Sequence, residues 1–90
     1  MMLVKNNTIE ISSLGEEKKF ISGHKYWMIE WAKYKNHIFK IGDVVSFYDH
    51  DDNEQYCGEI DYIIYVEDNS VEVSIKNTPL GRIDIESLDF

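Results

Sequence analysis

Residues 58–67 read Gly-Glu-Ile-Asp-Tyr-Ile-Ile-Tyr-Val-Glu, and this stretch decides the fold of the chain. Apolar and polar residues that alternate over several positions are typical of a half-buried β-strand. The apolar side chains that the alternation predicts to point inward are Ile60, Tyr62, Ile64 and Val66. The opposite face is predicted to expose two apolar residues among three carboxylates, namely Ile63 and Tyr65 with Glu59, Asp61 and Glu67.

A second alternating run follows at residues 70–75, Ser-Val-Glu-Val-Ser-Ile, with its aliphatic side chains inward. Asp68 and Asn69 lie between the two runs, and both residue types favour the tight turn of a β-hairpin. The two runs are therefore predicted to pair as an antiparallel hairpin.

Shorter alternating segments flank this hairpin at residues 8–12, 43–48 and 82–86. The middle segment is rich in β-branched and aromatic residues, which favours a strand with Val45 and Phe47 in the core. The sequence as a whole predicts a mainly β protein.

Residues 26–34 fit two structures. In a helix, Trp27, Trp31 and Tyr34 would share one face, because they are four and then three positions apart. In a strand, Trp27, Ile29 and Trp31 would instead share one face and alternate with Met28, Glu30 and Ala32. The bulky aromatic content favours the strand, with Lys35 and Asn36 turning the chain into a partner strand at residues 37–41.

Residues 37–47, His-Ile-Phe-Lys-Ile-Gly-Asp-Val-Val-Ser-Phe, resemble the opening of SH3-like barrels of the Tudor, KOW and bromo-adjacent-homology kinds. Residues 56–60 and 71–73 resemble the second and third strands of such barrels. The resemblance implies a strongly bent antiparallel sheet or SH3-like barrel at residues 37–90, in one domain with residues 1–36. That N-terminal extension would consist of strands or include one short helix. No ligand is implied, because these barrels host unrelated activities.

The turn within this segment has a physical basis. Gly42 permits a close turn between strands, since it adopts positive φ without steric cost. Asp43 is expected to accept a backbone N–H bond where the next strand begins.

Charge is distributed unevenly along the 90 residues, whose net charge is −8. Residues 1–45 hold seven lysines and five carboxylates, a net of +2, whereas residues 46–90 hold two basic residues and twelve carboxylates, a net of −10. Phosphate binding needs clustered Lys or Arg, so we do not expect direct binding of nucleic acid.

No apolar run approaches the roughly 20 residues that span a bilayer, and we expect a cytoplasmic protein without a membrane role.

No constellation of residues predicts catalysis, a metal site or a cofactor. The run from Asp49 to Glu54 begins like an EF-hand loop, but that loop needs Gly at its sixth position and Glu at its twelfth, where this chain has Glu54 and Ile60. Cys57 is the only cysteine, which excludes an internal disulfide, and we expect it to be a buried structural thiol. The sequence therefore predicts a protein that is not an enzyme.

Tyrosines rimmed by carboxylates can receive a cationic side chain, through ring quadrupoles and charge together. The predicted partner-binding residues are Tyr48, Asp49, Asp51, Asp52, Glu54, Glu59, Asp61, Tyr65 and Glu67. We expect them to bind a basic peptide or protein. Two alternatives stay open: an inhibitor of phage or mobile-element type whose carboxylates imitate nucleic acid, and aromatic rings that merely complete the core. A third, nucleic-acid binding by lysines of the N-terminal half, has a physical basis but runs against the overall charge; these lysines are Lys18, Lys19, Lys25, Lys33, Lys35 and Lys40. Exposed edges of so small a sheet also make a homodimer an expectation.

Overall fold

All 90 residues are described by a computed structural model, in which ten β-strands form two antiparallel sheets. The strands are β1 (Met2–Val4), β2 (Ile9–Ile11), β3 (Glu17–Lys19), β4 (Lys25–Ile29), β5 (Trp31–Tyr34), β6 (His37–Lys40), β7 (Val44–Asp49), β8 (Glu54–Val66), β9 (Ser70–Ile75) and β10 (Arg82–Asp84). A 3-10 helix at Ile85–Ser87 is the one helical element. The mainly β prediction is confirmed, and the short N-terminal helix is absent, since residues 1–36 contain only strands and connecting turns.

The first sheet has the strand order β1-β2-β5-β6, and the second has the order β10-β9-β8-β4-β3, with β7 added to β8. Neither order closes on itself. The 13-residue strand β8 organises the second sheet, because its first half pairs with β7 and its second half pairs with β4 and β9. The 3-10 helix is far shorter than a bilayer is thick, and no helix here is long and apolar enough to cross a membrane.

Residues 26–34 are extended, as the favoured interpretation predicted, but they form two strands in different sheets. The chain passes between the sheets at Glu30, where Ser12 Oγ accepts the backbone N–H groups of Glu30 and Trp31 at 2.9 and 3.3 Å. Lys35 and Asn36 then take φ values of 50° and 64°, which produces the predicted tight turn into β6.

The turn at Gly42 and Asp43 also forms as predicted. Gly42 has φ of 92°, and Asp43 Oδ2 accepts the backbone N–H of Lys40 at 2.9 Å. The backbone of Asp43 further accepts the N–H of Ile60 at 2.8 Å. This turn therefore ties the first sheet to the middle of β8.

The hairpin of β8 and β9 is confirmed, but the predicted faces of β8 are wrong beyond Ile60. Val66 pairs with Ser70, so the connection has three residues, and the register places Ile63 opposite Val73. Residues directly opposite each other share a face. Ile63 is therefore on the core face, and Tyr65, opposite Val71, packs against the core as well.

A β-bulge between Ile60 and Tyr62 restores the predicted inward position of Ile60. Asp61 is the extra residue, and it is exposed. Beyond the bulge, the side chains on the outer face of the sheet are Tyr62, Ile64 and Val66. Ile64 and Val66 are nevertheless buried.

The core lies between the two sheets and consists almost entirely of aliphatic side chains. Its fully buried members include Ile9, Ile11, Phe39, Ile60, Ile63, Val71, Val73 and Ile85. The predicted inward residues Val45 and those of β9 belong to it, and Phe47 packs against it. At the C-terminal end, buried Leu88 and a hydrogen bond from Asp89 N to Ser46 O at 2.9 Å hold the chain against β7.

Candidate partner-binding site

Five of the predicted binding residues meet at the end of the β7–β8 hairpin. We call Tyr48, Asp49, Asp51, Asp52 and Glu54 the acidic tip. Asp49 lies opposite Glu54 in the register, so their carboxylates start from the same face. The turn is held by Asp49 Oδ1, which accepts the N–H of Asp51 at 2.9 Å, and by Asn53 at φ of 54°. Polar residues and a left-handed Asn explain why the chain reverses here.

The carboxylates of the acidic tip have no cation within ion-pairing distance. Seven of the 17 acidic residues are paired with Lys, Arg or His within 4.0 Å: Glu16, Glu17, Glu59, Glu67, Glu72, Asp84 and Glu86. None of these lies at the acidic tip. Four carboxylates without a cation on one short turn concentrate negative potential there.

Tyr56 lies beside the acidic tip and its titration reflects that potential. Burial of the phenol, followed by the negative charges of Glu54, Asp52 and Asp49, raises the pKa of Tyr56 above its ordinary value of 10.0. Both causes raise this pKa, since a low-dielectric environment and nearby carboxylates each disfavour the negatively charged phenolate.

Glu54→Gln is expected to lower the pKa of Tyr56 toward its ordinary value, because it removes the charge that opposes phenolate formation most strongly. An NMR titration of the Tyr56 ring resonances measures this directly. Glu17→Gln changes the net charge equally but lies on β3 beside Lys25, and it should leave the pKa of Tyr56 unchanged. Equal shifts in both variants would mean that Tyr56 senses only the net charge.

An aromatic and a shallow cleft accompany the acidic tip. The Tyr48 ring is 36% exposed, its hydroxyl donates to Asn53 Oδ1 at 3.2 Å, and its centroid lies 4.9 Å from that of the His50 ring. A cleft of about 350 Å³ separates this part of the hairpin from Ser87 and Asp89 at the end of the chain. Tyr48 is therefore presented at the surface, next to carboxylates.

The remaining predicted residues do not join the acidic tip. Glu59 is paired with Lys76 at 3.5 Å, and Glu67 is paired with His24 Nδ1 at 2.8 Å. The His24 contact, as a hydrogen bond to the carboxylate, lowers the pKa of Glu67. Asp61 is the exposed bulge residue of β8. These three carboxylates are thus spread along β8 and beyond it.

Tyr65 was predicted to emerge beside the carboxylates, and this prediction is wrong. Its ring is half-buried against the core, with its centroid 5.8 Å from the ring of Trp27, and its hydroxyl donates to Asn69 Oδ1 at 3.2 Å. Tyr48 lies opposite Gln55, ten positions before Tyr65 on β8. The two tyrosines therefore cannot form one cluster.

Sequence reasoning missed two features near the acidic tip. Asp89 reaches it only through the fold, where its Oδ2 accepts a hydrogen bond from Gln55 Nε2 at 3.3 Å, and no local pattern announces a contact across 34 positions. Cys57 was expected to be buried but is exposed. It pairs with Ser46 on the outer face of the hairpin, whereas Tyr56 pairs with Phe47, which packs against the core.

A second aromatic surface lies on the outer face of the larger sheet, and a basic side chain of the same molecule already contacts it. The Phe20 ring stacks on Tyr26 with centroids 4.3 Å apart. The Arg82 guanidinium lies 4.6 Å from the Phe20 centroid, and its Nε donates to Glu72 at 3.0 Å. The Phe20 ring and the Glu72 carboxylate of this surface therefore already bind a cation of the same chain, Arg82.

Comparisons with protein-family models, with curated proteins and with solved structures found no match to this chain. The resemblance of residues 37–47 to SH3-like barrels therefore stays a prediction.

Proposed function

We propose that this protein is a non-catalytic binding module that engages a basic peptide or a basic protein surface through its acidic tip. The observation that carries the proposal is the group of four tip carboxylates without an ion pair, in a protein where seven other carboxylates lie within 4.0 Å of a basic side chain. A partner that brings Lys or Arg to the tip gains charge-assisted hydrogen bonds without breaking an existing pair.

The geometry of the hairpin supports the same proposal. Strand pairing fixes the backbone of Asp49 and Glu54, and the backbone N–H of Asp51 is bound to Asp49 Oδ1, so little backbone freedom is lost when a cation binds. Tyr48 adds an exposed ring beside these charges, and a cation that leaves water gains from the face of such a ring.

The distribution of charge argues against the nucleic-acid mimic. A mimic needs carboxylates spaced in rows that match a phosphate track. Two carboxylates along β8 and just after it, Glu59 and Glu67, are instead in contact with Lys76 and His24 of the same chain. Of the ten carboxylates without an ion pair, four lie together at this one turn. A compact cluster of this kind fits a few cationic side chains.

Asp51→Asn/Asp52→Asn is expected to weaken binding of a fluorescein-labelled arginine-rich peptide by roughly three- to tenfold, because each exposed charge pair contributes about 0.2–1 kcal/mol. Fluorescence anisotropy at low salt measures the dissociation constant. The matched control is Glu16→Gln/Glu17→Gln, which removes the same charge from β3 and the residue before it and should change binding by less than about twofold.

Tyr48→Ala tests the aromatic part of the site and should weaken peptide binding relative to the unmodified chain. Tyr65→Ala should lower the stability of the fold but leave the affinity of the folded protein for the peptide unchanged, because Tyr65 packs against the core away from the tip.

Equal losses of binding in Asp51→Asn/Asp52→Asn and in its control would show that the peptide responds to net charge alone, and the proposal would then be wrong. A chain that instead displaces duplex DNA from a nucleic-acid enzyme, without binding the peptide, would favour the mimic.

A further inference from the structure

The outer face of the β5–β6 hairpin is the opposite of the acidic tip in charge. Trp31 lies opposite Lys40, and Lys33 lies opposite Ile38, so these four side chains form one patch on the face turned away from the core. The alternate residues Ala32 and Phe39 are buried on the inner face. Lys35 begins the turn of the same hairpin. We call Trp31, Lys33, Lys35, Ile38 and Lys40 the basic hairpin face.

Most unpaired cations of the molecule lie on this face. Of the nine Lys and Arg residues, five are in ion pairs: Lys5, Lys18, Lys25, Lys76 and Arg82. Three of the four others, Lys33, Lys35 and Lys40, belong to the basic hairpin face, and the fourth is Lys19. Lys35 also has an internal contact, since its Nζ lies 5.4 Å from the centroid of the Tyr34 ring, so Lys33 and Lys40 are the two cations of this face without any such contact. Glu10 lies opposite Lys33 on the neighbouring strand, but no ion pair joins them within 4.0 Å.

Apolar surface accompanies these lysines. Ile38 is 49% exposed and Trp31 is half-buried. Both therefore present apolar surface to solvent on the outer face of the sheet. β6 is also the edge strand of its sheet, which leaves the basic hairpin face accessible from the side. Cations interleaved with apolar side chains match a partner that carries carboxylates beside an aromatic ring.

We propose that the basic hairpin face binds the acidic tip of a second copy of this chain. This inference rests on the proposed function and names a partner for the tip. The acidic tip offers carboxylates and the exposed Tyr48 ring, and the basic hairpin face offers lysines and the apolar surface of Trp31 and Ile38. Both halves of a complementary contact are thus carried by the same chain.

Net charge does not prevent this contact. Two copies of charge −8 repel each other at long range, but at physiological ionic strength the Debye length is about 8 Å, so charges far from the contact are largely screened. Since the two surfaces differ, each copy makes the contact once through its tip and once through its basic face. The product is either a two-fold pair with two such contacts or a chain of copies.

Sedimentation velocity over a concentration series tests the proposal with charge reversals. Lys33→Glu/Lys40→Glu and, separately, Asp51→Lys/Asp52→Lys should each raise the dissociation constant of self-association at least about tenfold, because like charges then face each other. The control Lys18→Glu/Lys19→Glu makes the same charge change on β3 and should leave self-association within about twofold of the unmodified chain.

Mixing the two reversed variants is the decisive step. The reversed face then meets the reversed tip, and the native face meets the native tip, so association should return to within about threefold of the unmodified protein. Their net charges, −8 − 4 = −12 and −8 + 4 = −4, keep the same sign. Attraction between whole molecules therefore cannot account for recovery.

Several outcomes overturn the inference. They are an unmodified chain that stays monomeric at every concentration and salt tested, a Lys33→Glu/Lys40→Glu variant that associates normally, and a mixture that does not recover. If a reversed variant fails to show the circular dichroism of the folded chain, a neutral variant replaces it, with weaker association expected: Lys33→Gln/Lys40→Gln for the basic hairpin face and Asp51→Asn/Asp52→Asn for the acidic tip. A monomer that still binds the arginine-rich peptide leaves the proposed function standing, whereas one that does not bind it contradicts both.

Discussion

Phe39→Ala is expected to lower the free energy of unfolding by about 3–5 kcal/mol, the range for truncating a fully buried aromatic ring. Phe39 has no exposed surface, and its ring lies 4.4 Å from that of His37 and 5.3 Å from that of Phe90. Domains of this size are stabilised by only about 5–15 kcal/mol. The substitution therefore removes a large share of the total stability.

Urea unfolding followed by circular dichroism measures the loss, and the neighbouring residue provides the control. Ile38 precedes Phe39 on β6 but points to the opposite face, where it is 49% exposed. Ile38→Ala is expected to cost less than about 1 kcal/mol. Similar losses in the two variants would contradict the placement of Phe39 between the sheets.

Turns were the most predictable part of this fold, because each depends on residues that are adjacent in sequence. Lys35 and Asn36 reverse the chain with φ values that an Asn tolerates, and Asn69 does the same at φ of 72°. Gly42 and Asp43 form the expected turn with its side-chain cap. The acidic tip was predictable for the same reason, since its residues are consecutive.

Contacts between distant segments could not be predicted. Ser12 separates β4 from β5 by accepting two N–H groups that lie 18 and 19 positions later. Asp89 joins the region of the acidic tip only because Leu88 is anchored in the core. Ion pairing was equally hidden. Glu59 and Glu67 were predicted to bind a partner, and only the structure shows that each already contacts a basic side chain of the chain itself.

The faces of β8 were wrongly predicted because the connection to β9 is one residue longer than a two-residue turn. A two-residue turn at Asp68 and Asn69 would place Val66 opposite Val71, and Ile64 would then share the core face with Val73. The actual connection also includes Glu67, which shifts the register by one and exchanges the two faces of the strand. Alternation alone cannot distinguish these registers.

The bulge at Asp61 follows from this register. Without it, Asp61 would lie opposite Ile75 on the core face, and a carboxylate would be buried without a partner. The extra residue instead leaves Asp61 exposed and places Ile60 opposite Ile75 in the core. Burial of an unpaired charge costs far more than a local break in the ladder of hydrogen bonds, which explains why the bulge forms.

Ile63→Asn is therefore expected to be among the most destabilising substitutions in the protein, although simple alternation places Ile63 at the surface. Ile63 is fully buried opposite Val73. Removing its side chain costs about 2–5 kcal/mol, and burial of an amide without a partner adds about 1–3 kcal/mol. Together these approach the whole stability of a small domain.

Tyr62→Asn is the matched variant, one residue earlier on the same strand. Simple alternation makes Tyr62 an inward residue, but the three-residue connection places it on the outer face, where it is half-buried opposite Ser74. Its loss should cost only about 1 kcal/mol, near the average for a point substitution. Chemical denaturation of the two variants ranks them directly. If Tyr62→Asn proved the more damaging, the three-residue connection and the bulge would both be excluded, because each register of β8 permits only one of the two side chains to face the core.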